Sequence, residues 1–335
     1  MTAPLLEVRD LQAYYRSMRG PVRAVDGVSL DVKPGEIFGI AGESGCGKST
    51  LAKAMLRLHK PPAYIAGGSI RLNGTDITGL GEEEMRRLRG SAFAYIPQAS
   101  MNALNPVMRI RDQIVDAISA HQRMSTDAMR EKAAELLATV GLPPRAGRMF
   151  PHELSGGMKQ RCVIAISIAL GPRLLVADEP TTALDVVTQR GIMQALADIR
   201  DQQGTSVVLI SHDLAVHAEV VDRLLVMYAG KVVEIGSVFD LFEDPLHPYS
   251  QVLVAAIPSV EERREIKGLA GQPPNLLQPP PGCRFAPRCP KVMPECTHTE
   301  PVLREIAAGR WVACLLMDTA GPASTSGQLA SSLGE

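Results

Sequence analysis

Gly42-Glu43-Ser44-Gly45-Cys46-Gly47-Lys48-Ser49-Thr50 reads G-x-x-x-x-G-K-S, the spacing of a loop that holds phosphate when a strand precedes it and a helix follows. Both neighbours are present. Glu36-Ile37-Phe38-Gly39-Ile40-Ala41 has the composition of a buried strand, and Ser49 to Leu58 reads as a helix. Glycines let backbone N–H groups close around phosphate oxygens. The helix N-terminus adds a partial positive charge. Lys48 has the reach for the β- and γ-phosphates, and the Ser49 hydroxyl is suited to Mg²⁺.

Outward from this loop the chain alternates strands and helices. Residues 5–15 and 22–32 read as strands, the second leading into the turn Lys33-Pro34-Gly35. Gly67 to Gly74 is a short strand with a turn, Glu82 to Arg89 a charged helix, and Phe93-Ala94-Tyr95-Ile96 a buried strand ending at Pro97-Gln98. From Ala99 to about Gly171 helical periodicity takes over, with apolar positions three and four apart in 109–121 and 126–140. This predicts a helical subdomain inserted into an α/β core. Leu174-Leu175-Val176-Ala177-Asp178-Glu179 is a continuous apolar run that ends in two carboxylates, as suits a parallel strand covered on both faces. Helix 188–202, strand Ser206 to Ile210, helix 213–221 and strands Arg223 to Met227 and Lys231 to Ile235 follow.

The 335 residues suggest about two domains. A net charge of −1 makes no case for a nucleic-acid partner. Met1 to Glu7 lacks the basic start and apolar run of a signal peptide. The apolar run Val163 to Leu170 falls short of the ~18 residues of a membrane helix. A soluble chain is expected, with any membrane association made through a partner.

Four features belong with the phosphate loop. Asp178 can hold Mg²⁺ through water, and Glu179 can orient or deprotonate an attacking water. Leu154-Ser155-Gly156-Gly157-Met158-Lys159-Gln160 sets Ser-Gly-Gly at a helix start, a second anion-binding terminus. Ser211-His212-Asp213 puts an imidazole at a strand end. Gln98 stands where a strand enters the helical insert.

Together Gly42–Thr50, Gln98, Leu154–Gln160, Leu174–Glu179, Ala183-Leu184-Asp185 and His212 resemble the ATP-binding subunit of ABC transporters, over about residues 5–257. The resemblance implies a P-loop NTPase of the ABC type, with an N-terminal antiparallel β subdomain, an inserted helical subdomain (about 99–171) and a small C-terminal cysteine-rich extension. It implies that Tyr15 stacks on adenine, Tyr14 being the rival, and that Gly42, Glu43, Ser44, Gly45, Cys46, Gly47, Lys48, Ser49, Thr50 and Gln98 surround the nucleotide. Ser49, Gln98 and Asp178 would hold Mg²⁺, with Glu179 and His212 catalytic. Leu154, Ser155, Gly156, Gly157, Met158 and Gln160 would face the nucleotide of an opposite subunit, near Asp185. Cys46 departs from the common serine.

The remainder is a separate puzzle. Cys283, Cys289, Cys296 and Cys314 read C-x5-C-x6-C-x17-C, which matches neither zinc-finger nor ferredoxin spacing. Spacing alone leaves open free thiols, a disulfide or one metal site. His247-Pro248-Tyr249-Ser250, Ala255-Ala256-Ile257-Pro258 and the Cys283–Cys289 segment resemble the ATP-binding subunits of oligopeptide and dipeptide importers, including relatives that move nickel or glutathione. There the four cysteines can hold a [4Fe-4S] cluster. Zn²⁺ is the alternative metal and His298 a rival ligand. The resemblance divides the chain into 1–258, the nucleotide domain, and 259–317, the extension, while 318–335, rich in Ser, Gly and Ala and without periodicity, reads as a disordered tail. It implies an ATPase that drives peptide uptake from the cytoplasmic face of the membrane. Its partners would be a second ATPase subunit, two transmembrane permeases and a substrate-binding protein. A nickel or glutathione importer, or a soluble ABC ATPase, is the alternative.

Overall fold

The computed structural model describes residues 3–257 and 269–319. The expected boundary at 258/259 and the tail from residue 320 onward lie outside these residues.

Two sheets build the molecule. β1 (Leu6–Ser17), β2 (Gly20–Val32), β4 (Ala63–Leu72) and β5 (Thr75–Asp76) form an antiparallel sheet in the order β2-β1-β4-β5. Leu6, Val8, Leu11 and Ala13 of β1 turn inward. The pattern skips a step between Val8 and Leu11, where the register shifts and Asp10 has a left-handed φ of 48°. That is the local kink of a bulge.

The larger sheet contains β3 (Ile37–Ala41), β6 (Phe93–Ile96), β7 (Leu174–Asp178), β8 (Ser206–Ile210), β9 (Arg223–Tyr228) and β10 (Lys231–Ser237). β11 (Arg304–Ala307) and β12 (Arg310–Val312) complete the order β11-β12-β10-β9-β3-β8-β7-β6. The run from β9 to β6 is parallel, and β10, β12 and β11 are antiparallel. Every residue of β3, β7 and β8 is buried, as expected of strands with both faces covered. Alternate residues enter opposite cores. Ile37, Leu175, Ala177, Val207 and Leu209 join the core shared with the helical insert. Phe38, Ile40, Leu174, Val176, Val208 and Ile210 join the core under the antiparallel sheet.

α1 (Lys48–Met55) follows the phosphate loop, and α2 (Glu82–Leu88) lies on the surface. The insert holds α3 (Ile110–Ser119), α4 (Thr126–Thr139) and α5 (Gly156–Ser167). Ile110, Ile114 and Ile118 recur every four residues and are fully buried, so α3 presents one apolar stripe. Ser125 caps α4 by accepting the Ala128 N–H at 3.3 Å. α6 (Val186–Gln203), α7 (Leu214–Val220), α8 (Val238–Glu243) and α9 (Pro248–Ala255) pack around the sheet, and α10 (Leu316–Thr319) ends the described chain. The C-terminal segment is not laid beside this core but built into it. β12 pairs with β10 through Glu234↔Val312 and Ile235↔Trp311, and Phe285 is buried in the insert-side core.

Candidate nucleotide site

The phosphate loop leaves the C-terminal end of β3, beside the ends of β7 and β8. Open α/β sheets bind ligands at these strand ends. Two of its glycines have clear reasons. A Cβ on Gly42 would lie 2.2 Å from the Met227 carbonyl oxygen, and one on Gly47 2.1 Å from the Ala24 carbonyl oxygen. Their φ values of 148° and 111° are also left-handed. The Lys48 ammonium is buried and donates to the Gly42 and Glu43 carbonyls at 2.7 and 3.0 Å, which closes the loop on itself.

A cavity of about 450 Å³ opens over the loop. Ser44, Gly45, Gly47, Lys48, Ser49 and Thr50 form its floor, Gln98 and Glu179 one side, and Tyr15, Val22, Ala24 and Leu276 an apolar end. Tyr15 lines that end, with its hydroxyl 3.0 Å from the Thr50 hydroxyl. Tyr14 does not. Its hydroxyl donates to Asp26 at 2.5 Å, and burial, helped by that bond, pushes its pKa to about 12. Gly42, Glu43 and Cys46 belong to the loop but do not line this cavity. The Cys46 thiol is buried, and burial raises its pKa, so the unusual residue faces protein.

The carboxylates stand at the end of β7. Asp178 is fully buried and accepts the Ser49 hydroxyl at 2.9 Å and the Tyr95 hydroxyl at 2.9 Å. Burial raises its pKa despite these donors. A hydroxyl and a buried carboxylate in contact at the loop's end fit Mg²⁺, which would supply the charge that keeps Asp178 ionised. Glu179 has a left-handed φ of 53°, a strained state for a side chain of its kind, and such strain gathers at functional sites. It accepts the His212 backbone N–H at 3.2 Å, and its oxygens lie 2.9 and 2.8 Å from His212 Nδ1.

The Ser-Gly-Gly segment does not reach this cavity. Ser155 caps α5 by accepting the Met158 N–H at 3.4 Å. Ser155 and Gly156 are exposed, Gly157 and Met158 half-buried, and Leu154 and Gln160 buried. Gln160 instead accepts the Ser100 hydroxyl at 2.8 Å. Asp185 caps α6, accepting the Thr188 N–H at 2.9 Å and its hydroxyl at 2.7 Å. The two helix starts touch: a Cβ on Gly157 would lie 2.4 Å from Thr188 Cγ2.

The expected metal site of the cysteines finds no support in the geometry. All six cysteines are free of disulfides. Cys283, Cys289, Cys296 and Cys314 do gather in one lobe, where the Cys283 N–H donates to the Cys296 carbonyl at 2.8 Å. Yet among the described residues no group of three or more His, Cys, Asp or Glu side chains is arranged to hold a metal. Burial pushes Cys283 up to about 11 and raises Cys289 and Cys314. A metal ion would itself have to displace these protons, and the arrangement of the four cysteines gives [4Fe-4S] or Zn²⁺ no support. His298 is exposed, as a loop histidine.

Sequence reading missed three side chains at this site. Tyr95 holds Asp178 and lies in a strand whose pattern announces only burial. Leu276 and Arg288 come from the proline-rich C-terminal segment, where no periodicity points to a nucleotide.

The chain matches the ABC transporter family model over residues 25–182. It matches the oligopeptide/dipeptide transporter C-terminal region model over residues 233–296. It is 47% identical over 318 residues to an oligopeptide transport ATP-binding protein of Mycobacterium tuberculosis, covering 93% of this chain and 52% of that protein. It thus spans about half the length of that relative. It is 44% identical to a probable peptide ABC transporter ATP-binding protein of Sinorhizobium fredii (92% of this chain, 94% of that one). An oligopeptide transport ATP-binding protein of Bacillus subtilis is 42% identical (95% and 98%). A dimeric ATP-binding cassette in a post-hydrolysis state with ADP and Pi superposes with a TM-score of 0.63 at 28% identity, over 70% of this chain and 98% of that one. With the nucleotide-domain fold, the loop and the strand-end carboxylates in place, this chain belongs to the ABC transporter ATP-binding protein family, alongside its oligopeptide transport members.

Proposed function

We propose that the chain is the ATP-hydrolysing motor subunit of an importer that takes up di- or oligopeptides. The observation that carries this is one cavity lined by Lys48, Ser49 and Glu179, with buried Asp178 bonded to Ser49 behind its wall. Peptide as cargo is supported by the match to the oligopeptide/dipeptide C-terminal region and by the relatives' names. A nickel or glutathione importer is the second reading, since the C-terminal segment resembles those too.

In this reading the loop amides and Lys48 bind the phosphates, and Tyr15 and the apolar end take the base. Ser49, Gln98 and Asp178 would hold Mg²⁺, which when bound would offset phosphate charge. Glu179 takes a proton from water, and His212 holds its carboxylate and reaches toward the γ-phosphate. Phosphoryl transfer depends on this placement more than on covalent chemistry. The exposed Ser155–Gly156 start of α5 would complete the site of a second cassette. Beside it Val186 and Val187 are 78% and 83% exposed, apolar surface suited to being covered in a pair. Two permeases would receive the motion, with a binding protein delivering cargo at the far side. No helix among the described residues is long and apolar enough to cross a membrane, so a place at the cytoplasmic face would come from these partners.

A [4Fe-4S] cluster on Cys283, Cys289, Cys296 and Cys314, or Zn²⁺ in its place, would require those thiols to lose protons and converge. Iron and zinc analysis of anaerobically purified protein tests it; stoichiometric metal supports the group, and a metal-free protein removes it.

The motor reading is tested by purifying the chain with its permeases in vesicles. Peptide uptake that requires ATP and an intact Lys48 supports it. ATP turnover with uptake of nickel or glutathione but not peptide favours the second reading, and failure to bind any permease removes both.

A further inference from the structure

We propose that the C-terminal segment forms part of this chain's own nucleotide site, with Arg288 as a positioning residue for the phosphate loop and Leu276 as a wall facing the nucleoside. The inference rests on the ATP-binding reading and assigns residues that it does not contain.

Arg288 reaches the loop from behind. Its Nη1 donates to Glu43 Oε2 at 2.8 Å and its Nη2 to Glu43 Oε1 at 3.0 Å. This is the two-pronged arginine–carboxylate contact, which fixes orientation as well as charge. The guanidinium is itself anchored. It donates to the Tyr228 hydroxyl at 3.2 Å and to the Ala270 and Leu269 carbonyls at 3.0 and 3.3 Å. The Arg288 side chain is only 5% exposed and the Glu43 side chain 26%, so the arginine is shielded while the carboxylate stays partly open to water. Glu43 is held from its backbone as well, because its N–H donates to the buried Tyr249 hydroxyl at 2.8 Å.

Glu43 is a strategic residue to hold. It follows Gly42, its carbonyl accepts the Lys48 ammonium at 3.0 Å, and its side chain points away from the cavity. A clamp on Glu43 thus sets the backbone whose amides and lysine meet phosphate, without touching the ligand. Glycine-rich loops are free to adopt many shapes, so an external clamp lowers the ordering cost of binding.

Leu276 contributes separately. It lines the nucleotide cavity at the apolar end with Tyr15, Val22 and Ala24, and its carbonyl accepts the Arg23 N–H at 2.9 Å. Pro273 and Pro274, just before it, lie against Ser44, Gly45 and Cys46 around a small void. The segment therefore covers the outer side of the loop and reaches its mouth.

The test uses the full chain, with ATP–Mg²⁺ and inorganic triphosphate as probes and thermal melting as a control for folding. Arg288→Ala and Glu43→Ala should each weaken both probes by about five- to tenfold, and the double variant should bind no worse than the weaker single. Arg288→Lys, which keeps the charge but loses the fork, should restore only part. Leu276→Ala should weaken ATP and leave triphosphate binding unchanged. Unchanged affinities with a lowered melting temperature would make Arg288 a fold-holding residue only and overturn the positioning role, as would additive single effects. Equal losses of ATP and triphosphate at Leu276, or none, would overturn the wall. A wild-type chain that binds triphosphate but not ATP would instead remove the ATP reading beneath them.

Discussion

His212 Nδ1 lies within 2.9 Å of both carboxylate oxygens of Glu179. The contact ties the end of β8 to the end of β7. The Glu179 N–H also donates to the Ile210 carbonyl at 2.9 Å, so backbone and side chain are braced together. This bracing is what a left-handed glutamate needs to persist.

Replacing Glu179 by Gln keeps an acceptor for the His212 N–H but removes the carboxylate proposed as the base. Phosphate release should fall by at least about 100-fold, while ATP affinity stays within a few-fold of wild type. ATP-dependent pairing of cassettes, followed by size-exclusion chromatography, should increase. Turnover that survives would assign the base elsewhere.

Tyr95 supplies one of the two hydroxyl donors to buried Asp178. Hydrogen bonds to charged groups contribute about 1.5–3 kcal/mol, so Tyr95→Phe should raise the Mg²⁺ concentration for half-maximal turnover by about tenfold or more. Asp178→Asn should abolish the Mg²⁺ requirement for tight ATP binding along with turnover. A Mg²⁺ titration of both variants checks this, and an unshifted curve for Tyr95→Phe would confine that tyrosine to packing.

At the start of α5, Gly157→Ala would press a methyl group against Thr188 Cγ2 at 2.4 Å. The helix starts would have to part. ATP-driven pairing and turnover should drop several-fold, with mononucleotide binding kept. Thr188→Ser removes Cγ2 and keeps the hydroxyl that donates to Asp185, so the double variant should recover. No recovery would mean that the collision is not the cause.

Two buried histidines predict a pH dependence of stability. Burial lowers His217 to about 4 and His247 to about 3. The unfolded chain, with a histidine pKa near 6.5, takes up protons first as pH falls. Stability should be complete above about pH 6.5 and lost as pH falls toward the folded values, by roughly 2 kcal/mol per histidine at pH 5. Urea unfolding at pH 7.5 and 5 measures this, and His247→Gln should lose less between them than wild type.

What was readable in the chain was local. The strand, loop and helix around Lys48 and the apolar run ending in Asp178-Glu179 each carry their own pattern. The helical insert shows itself through Ile110, Ile114 and Ile118. What was not readable depends on where distant segments meet. Tyr95 finds Asp178 because β6 pairs with β7, and Arg288 finds Glu43 because the C-terminal segment folds back over β9. Neither pairing leaves a mark on local composition. The cysteines stand the other way round. Their clustering along the chain is plain, but spacing does not say whether the four sulfurs converge on one point.

The clamp on Glu43 joins positions 245 residues apart. During synthesis the phosphate loop emerges 245 residues before the arginine that steadies it. A nascent chain would carry every residue of the loop and still present it unbraced until Arg288 had left the ribosome. Tight ATP binding would therefore wait on the C-terminal segment rather than arrive with the loop itself.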